Sequence, residues 1–293
     1  VALGANALDA NTTADYNTAV GGLSLTANTT GHSNTALGLN ASASNTTGDY
    51  NTSSGYGALY SATTADSNSA FGRRALYSNT TASYNTAVGA ESLDANTTGE
   101  HTTALGYGAL GANTTGSNGT SVGSEALAAN TTGASNTAVG VAALKTNTTG
   151  AGNVAVGKDA LKTTTTGGAN TAIGLSALEL NTAINNTAVG YNSLGANTTG
   201  TPNTAVGKSA LESNTTGTNN VAVGDNALNA NSTAYSNTAV GSAALQGNTV
   251  GFQNIGVGYA SLATNSTGDK NTAVGVYALR YATTADNNTA FGH

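Results

Sequence analysis

A glycine that recurs at an almost constant spacing runs through the whole sequence. Successive members lie 17 residues apart, except for one step of 16 residues from Gly174 to Gly190. The series is Gly4, Gly21, Gly38, Gly55, Gly72, Gly89, Gly106, Gly123, Gly140, Gly157, Gly174, Gly190, Gly207, Gly224, Gly241, Gly258, Gly275 and Gly292. The unit reads N-T-A-V-G-x-x-A-L-x-x-N-T-T-G-x-x, and no linker interrupts it. This repetition predicts a single continuous repeat region over residues 1–293, with about 17 coils.

The repeated unit is too short for most known repeat architectures. Helix-turn-helix repeats need about 34 residues, and Gly, Asn and Thr are weak helix formers. Numbering the unit from the Asn of N-T-A-V places Asn17 at position 1 and Gly21 at position 5. We expect two short strands per coil, one at N-T-A-V and one around A-L, separated by turns at the Gly and at N-T-T-G. The fold class predicted is all-β, a parallel β-solenoid of 17-residue coils with one 16-residue coil at residues 170–185.

Apolar side chains recur at three positions of the coil. Position 2 is mostly Thr, with Val154, Val221 and Ile255 in some copies, and position 4 is mostly Val. Because strand side chains alternate, positions 2 and 4 share one face. We expect that face, together with the Leu at position 9, to form the interior.

Composition indicates that such a coil needs further support. Leu, Val, Ile and Phe make up roughly 16% of the chain, below the ~20% under which chains are often disordered. Charged residues, however, are only 8%, and the net charge is -6, so charge repulsion does not hold the chain open. One Val and one Leu per coil are a small core for 17 ordered residues. We therefore expect a homo-oligomer, a trimer, with apolar surface shared between copies.

Asparagine recurs at two positions. At position 1 we expect the amides to stack as a structural ladder from coil to coil. At position 12, twelve copies begin an N-x-[ST] acceptor sequence, which predicts either covalent glycans on outward side chains or an unmodified interior ladder. These candidates for N-glycosylation are Asn11, Asn28, Asn45, Asn79, Asn96, Asn113, Asn130, Asn147, Asn197, Asn214, Asn231 and Asn265.

Several function classes lack support in this sequence. There is no Cys, and 8 Lys and Arg against 14 Asp and Glu give no basic surface for nucleic acid. No apolar run approaches the ~20 residues of a membrane span, so we expect none. The chain starts at Val1 without Met, and we expect a processed product or a section of something longer. We predict no catalytic residues, no cofactor and no metal site, so the protein is expected not to be an enzyme.

The ionisable side chains are interpreted as surface groups. The three histidines, His32, His101 and His293, are too scattered to predict a metal site, and the pair Arg73-Arg74 is interpreted as solvated. The acids at position 16 are expected to be exposed turn residues, with Ca²⁺ binding as the less favoured alternative. They are Asp15, Asp49, Asp66, Glu100, Asp269 and Asp286.

The repeats resemble a known family. N-T-A-V-G at residues 85–89 and N-T-A-I-G at residues 170–174, each followed by x-x-A-L, resemble the head repeats of YadA-like trimeric autotransporter adhesins and related repeats of phage and bacterial tail fibres. The resemblance covers the whole chain. It implies a left-handed parallel β-roll, trimeric, displayed at the cell surface or on a virion. It also implies that strands such as those at residues 17–21 and 237–241 contact matrix proteins or host surfaces.

Three functions are compatible with these observations. The favoured one is a non-catalytic, extracellular fibre or stalk segment for surface display. The alternative is an adhesin head or tail-fibre segment that binds a host surface or matrix ligand. A remote alternative is an ice-binding solenoid, although the neighbouring Thr of N-T-T should point to opposite faces rather than form rows on one face.

Two places depart from the repeat. Ser42 and Ser54 replace residues expected to point inward, and Ala62 replaces the Asn of position 12, so this stretch is predicted to be the softest part of the solenoid. In the 16-residue coil, Leu180 and Ile184 are predicted to stand where N-T-T-G would be.

Overall fold

The computed structural model describes residues 1–292 and shows an all-β chain. It consists of two compact units, Val1–Ala151 and Gly152–His293. Each unit is a parallel β-solenoid that contributes one short strand per coil, which confirms the predicted fold class. No helix that could cross a membrane occurs in residues 1–292.

The strands have nearly uniform lengths of two to four residues. In the first unit they are β1 Ala2–Leu3, β2 Thr18–Val20, β3 Thr35–Leu37, β4 Thr52–Ser54, β5 Ser69–Phe71, β6 Thr86–Val88, β7 Thr103–Leu105, β8 Thr120–Val122 and β9 Thr137–Val139. In the second unit they are β10 Val154–Val156, β11 Thr171–Ile173, β12 Thr187–Val189, β13 Asn203–Val206, β14 Asn220–Val223, β15 Thr238–Val240, β16 Ile255–Val257, β17 Thr272–Val274 and β18 Thr289–Phe291.

Consecutive strands within each unit pair in parallel and in register. Thr18 lies beside Thr35, and Ala19 beside Ala36, and equivalent pairings run from β1 to β9 and from β10 to β18. The register therefore equals the sequence period, so each side chain stands beside its counterpart from the next coil. Identical side chains consequently form rows, about 4.8 Å apart from coil to coil.

The prediction that positions 2 and 4 point inward is wrong. Ala19, at position 3, is fully buried, whereas Thr18 and Val20 on either side of it are only half-buried. The same alternation recurs in the strands from β3 to β17, and the Leu of position 9 is buried as predicted, except in the terminal coils, where Leu8 and Leu279 are half-buried. The interior is too thin for two bulky residues to face each other. In the second unit a Cβ added to Gly256, at position 3, would lie 3.3 Å from Leu245 Cγ, so only a small residue fits opposite the Leu.

The second predicted strand, around A-L, does not form. Positions 6–11 are a series of turns in which positions 7 and 9 have positive φ, as at Leu23 (57°) and Leu25 (48°). A left-handed conformation costs a non-glycine residue about 1–2 kcal/mol. It persists because it directs the Leu25 side chain into the interior and lets its N–H donate to Ala41 O of the next coil, at 3.0 Å.

The glycine at position 5 is required by both conformation and space. Gly89 has φ 131°, a region that side chains rarely adopt, and a Cβ there would lie 2.5 Å from Gly106 O. The glycine backbones of successive coils are therefore in direct contact. The row of glycines that defines the sequence period is the corner at which the chain leaves each strand.

The 16-residue coil keeps its register despite the missing residue. Thr171 lies beside Thr187, so the deletion does not affect the strand. It falls in the turn after Asn181, whose Nδ2 donates to Ala183 O two residues later instead of three. Leu180 and Ile184 are about half exposed. The placement predicted for these two residues was thus wrong, because Asn181 takes position 12.

Candidate functional site

The outer side of the strands forms a uniform surface in each unit. It consists of the side chains at positions 2 and 4 of consecutive coils, and we call it the T-x-V face. Large apolar side chains in it, such as Leu37, Phe71 and Leu105, remain 41 to 45% exposed. Every residue at these positions is Thr, Ser, Val, Leu, Ile, Phe or, at the first coil, part of Val1–Leu3, so the face carries no charged side chain. It is an apolar stripe lined by hydroxyl groups.

Sequence reasoning assigned this face to the interior. A signal for the correct orientation was present at position 3, which is Ala in nearly every copy and otherwise Ser53, Ser121 or Gly256. A position that accepts only the smallest residues indicates a crowded interior, because an exposed surface does not restrict the size of a side chain. Positions 2 and 4 vary more widely in size, from Ser54 to Phe71.

The asparagines of position 1 form the predicted ladder. Asn17 Oδ1 accepts the backbone N–H of Asn34 at 2.8 Å, and Asn34 Oδ1 accepts that of Asn51 at 2.8 Å. The amide nitrogen closes its own coil, since Asn34 Nδ2 donates to Gly48 O at 2.7 Å. These side chains are buried. Their role is therefore structural, both along the stack and across each coil.

The asparagines of position 12 form a second ladder. Asn113 Nδ2 donates to Asn96 Oδ1 of the preceding coil at 2.9 Å and to Gly116 O of its own coil at 3.0 Å. The carbonyl at position 15 thus accepts two amides in a regular coil, as Gly48 O does from Asn34 and Asn45. This buried arrangement satisfies polar groups that would otherwise be costly in a thin interior.

The burial of the second ladder contradicts glycosylation at eleven of the twelve candidate asparagines. Asn11 is exposed, but the other eleven candidates are at most 1% exposed and have their amides in the interior. A glycan is bulky and must project from the surface, so the folded coils exclude it at these eleven positions. They are Asn28, Asn45, Asn79, Asn96, Asn113, Asn130, Asn147, Asn197, Asn214, Asn231 and Asn265.

The Thr residues of N-T-T have different environments. Thr29 Oγ1 donates to Thr46 O of the next coil at 3.0 Å, and this contact is repeated at position 13 of many coils. Thr30, which follows, is exposed. The N-T-T segment therefore presents a single exposed Thr per coil, which agrees with the expectation that the two Thr diverge.

Acids at position 16 act as backbone acceptors. Asp49 Oδ1 accepts the N–H of His32 at 2.6 Å, and Asp66 Oδ1 accepts that of Asp49 at 2.7 Å. His32 Nδ1 accepts the N–H of Asp15 at 3.0 Å, whereas His101 stacks on Tyr84 with ring centroids 5.0 Å apart. In the range 1–292 no three His, Asp or Glu side chains group as metal ligands. His293 lies outside the described residues.

The Arg73 and Arg74 side chains are 55% and 40% exposed, which agrees with the prediction that they are solvated, and both also form ion pairs. Arg73 pairs with Glu91 at 2.5 Å, and Arg74 donates to both carboxylate oxygens of Asp94, at 3.0 and 3.3 Å. The hydrogen bond to Asp94, reinforced by its charge, raises the pKa of Arg74 above its ordinary value. Arg74 also lies 4.5 Å from the centre of the Tyr77 ring.

Aromatic residues complete this cluster. Tyr60 and Tyr77, one coil apart, stack with centroids 5.0 Å apart and nearly parallel planes. Equivalent stacking joins Tyr235 and Phe252 in the second unit. Such contacts follow directly from the register, because rings at one position stand one coil apart.

No pocket of the size that holds a small-molecule ligand occurs in the part of the chain that the structure describes. No protein-family model matches the chain, and neither does any curated protein sequence. The candidate functional site is accordingly a surface, the T-x-V face, supported by two buried asparagine ladders.

Proposed function

We propose that this chain is a segment of a non-catalytic, extracellular structural fibre whose copies associate through the T-x-V face. The observation that carries the proposal is the uncharged, half-exposed stripe on the strands of each unit. Soluble monomers rarely leave large contiguous apolar patches open. Nine strands at about 4.8 Å extend this stripe over about 40 Å in each unit.

Three copies are the proposed assembly. The resemblance to trimeric head repeats supports this number, and the thin interior supports the need for added burial. The apolar interior of each coil consists of at most one Leu and a few Ala side chains, so burying the outer Val and Leu rows would add to the apolar area removed from water. A fibre of this kind holds whatever it carries away from a surface.

The mass of the protein in solution tests the proposal. We expect light scattering to give about three times the chain mass of 28.3 kDa. The variant V88K/L105K places two charges on the T-x-V face and is expected to dissociate the assembly. The matched control T98K/T115K places the same charges on exposed threonines of the same two coils and is expected to remain trimeric. A monomeric mass for the unmodified protein would refute the proposal.

Ice binding is a second candidate, favoured by one observation. The T-x-V face places a row of hydroxyls and a row of methyls side by side at a constant rise, as at Thr86 and Val88 followed by Thr103 and Leu105. This arrangement, unlike N-T-T, presents two regular rows on one side. Ice binding requires that the T-x-V face is not covered by another copy. A monomeric protein with thermal hysteresis would therefore favour ice binding, and a trimer without thermal hysteresis would exclude it.

An adhesive role is the remaining alternative. Its best location is the cluster of Tyr60, Tyr77 and Arg74, where two stacked aromatic rings and a partly exposed guanidinium lie close together in the first unit. Binding of the protein to immobilised matrix proteins, lost in Y60A/Y77A, would favour this role over a spacer.

A further inference from the structure

The ladder of position 12 is interrupted at Ala62, and the interruption leaves a polar atom without a partner. Asn45 Oδ1 is buried, and no donor of the protein lies within hydrogen-bonding distance of it. In the regular coils this oxygen accepts the amide of the next Asn, as Asn28 Oδ1 accepts that of Asn45 at 2.7 Å. Ala62 is fully buried, and its methyl side chain has no hydrogen-bond donor.

A second acceptor at the same place lacks one of its usual donors. The carbonyl at position 15 normally accepts amides from positions 1 and 12 of its own coil, as Gly48 O does. In the coil of Ala62 the equivalent atom is Ala65 O, which accepts Asn51 Nδ2 at 2.7 Å but has no Asn at position 12. Both acceptors therefore converge on the place where an amide nitrogen stands in other coils.

The side chains around this place leave space for a polar atom. Ala65 carries a methyl where many coils have Gly, but the following coil combines Asn79 with Ala82 at the same two positions. There Asn79 Nδ2 donates to Ala82 O at 2.9 Å. A methyl at position 15 thus does not prevent a hydrogen-bond donor from occupying the amide site.

We propose that one buried water molecule occupies this site and donates one hydrogen to Asn45 Oδ1 and the other to Ala65 O. A water molecule has two donor hydrogens, as the missing amide nitrogen does, so it reproduces both bonds. Buried waters typically bind otherwise unsatisfied polar groups in sites with two to four polar partners. The solenoid thereby tolerates Ala at position 12 without a complete loss of the ladder.

A high-resolution crystal structure of the unmodified protein is the direct test. We expect solvent density about 2.7–3.2 Å from both Asn45 Oδ1 and Ala65 O. In solution, nuclear Overhauser contacts between water and the Ala62 and Ala65 methyl groups should report the same molecule. Absence of solvent density at both oxygens, or a protein donor bonded to Asn45 Oδ1, would overturn the proposal.

Two substitutions of Ala62 by side chains of similar size distinguish a hydrogen-bonding occupant of the site from one that only fills space. A62N should replace the water with an amide nitrogen at the same place and slow amide exchange in this coil. A62L should exclude the water, leave Asn45 Oδ1 unpaired and speed local exchange by about tenfold or more. Equal exchange rates in A62L and the unmodified protein would contradict the water site. If A62L does not fold, the comparison of A62N with the unmodified protein in crystals still decides.

Discussion

Two regions of the first unit are built from the same repeat but satisfy their interiors differently. In residues 79–147 the position-12 ladder is unbroken, and each Leu of position 9 faces small residues. In residues 34–66 Ser42 replaces that Leu, Ser53 replaces the Ala of position 3, and Ala62 breaks the ladder. Ser42 and Ser53 are buried and hydrogen-bonded to each other at 2.8 Å.

The difference shows that two of these departures from the repeat, Ser42 and Ser53, form a contacting pair. A hydroxyl buried at position 9 is matched by a hydroxyl at position 3 of the next coil, so neither is left unsatisfied. Just after the ladder break, the surface gains the Tyr60–Tyr77 stack and the ion pairs of Arg73 and Arg74. The region predicted to be softest therefore contains local compensation, and its relative softness stays a prediction for hydrogen exchange to test.

The largest expected effect lies in the regular region. N113A removes an amide that donates to Asn96 Oδ1 and Gly116 O, which leaves these acceptors dependent on a water molecule as at Ala62, and an oxygen that accepts from the buried Asn130 amide. We expect a loss of about 3 kcal/mol in local opening free energy, measured by native-state hydrogen exchange. The exposed neighbour gives the control, T115A, with little change. If N113A has as small an effect as T115A, the unbroken ladder does not stabilise the regular region.

The second test converts the irregular region toward the regular one. S42L/S53A restores the Leu and Ala of the repeat, and burying the Leu side chain should stabilise these coils by about 2 kcal/mol. S42L alone should be worse than the double variant, because it removes the hydroxyl that donates to Ser53 and leaves the buried Ser53 hydroxyl with only a long bond to Thr35 O, at 3.4 Å. Denaturant titrations of the four proteins in a double-mutant cycle give the coupling. Additive effects would mean that the pair does not act as a unit.

A matched pair of glycines provides the third test. Gly57 and Gly108 both occupy position 7 with φ near 60°, so Ala at either should cost about 1 kcal/mol. A Cβ at Gly57 would also lie 3.2 Å from the Tyr77 ring, whereas at Gly108 it meets nothing within 4 Å. G57A should therefore cost about 0.5–1 kcal/mol more than G108A, by disturbing the aromatic stack. Equal losses in thermal unfolding would show that the stack adds nothing.

The smallest expected effect concerns the surface ion pairs. R74Q removes a guanidinium that contacts Asp94 and Tyr77, but this side chain is 40% exposed and screened by solvent. We expect a loss of about 0.5 kcal/mol that shrinks at high salt. R73Q, at a side chain 55% exposed, should cost less. A salt-independent loss in R74Q would instead indicate a packing contribution.

The repeat in the sequence determined the solenoid, its 17-residue period, the glycine corner, the buried Leu of position 9 and the Asn ladder of position 1. Each follows from one residue type recurring at one position, because in-register stacking places identical groups beside each other. The tertiary structure decided which side of the strand is buried, although the small residues of position 3 were a signal for it in the sequence. A period of two divides the side chains into two sets without saying which set points inward.

Which side of the strand is buried depends on the space between opposite sides of the coil, and the residues that fill this space are far apart in the repeat. The Leu of position 9 in its left-handed conformation already fills the interior, so Ala of position 3 fits opposite it and the bulkier Thr and Val are turned outward. For the same reason, the position-12 Asn residues, which sequence alone left open between glycan carriers and an interior ladder, were resolved only by the path of the turns. The repeated sequence pattern determines which residues contact each other from coil to coil. The thickness of the coil determines which side chains fit in its interior.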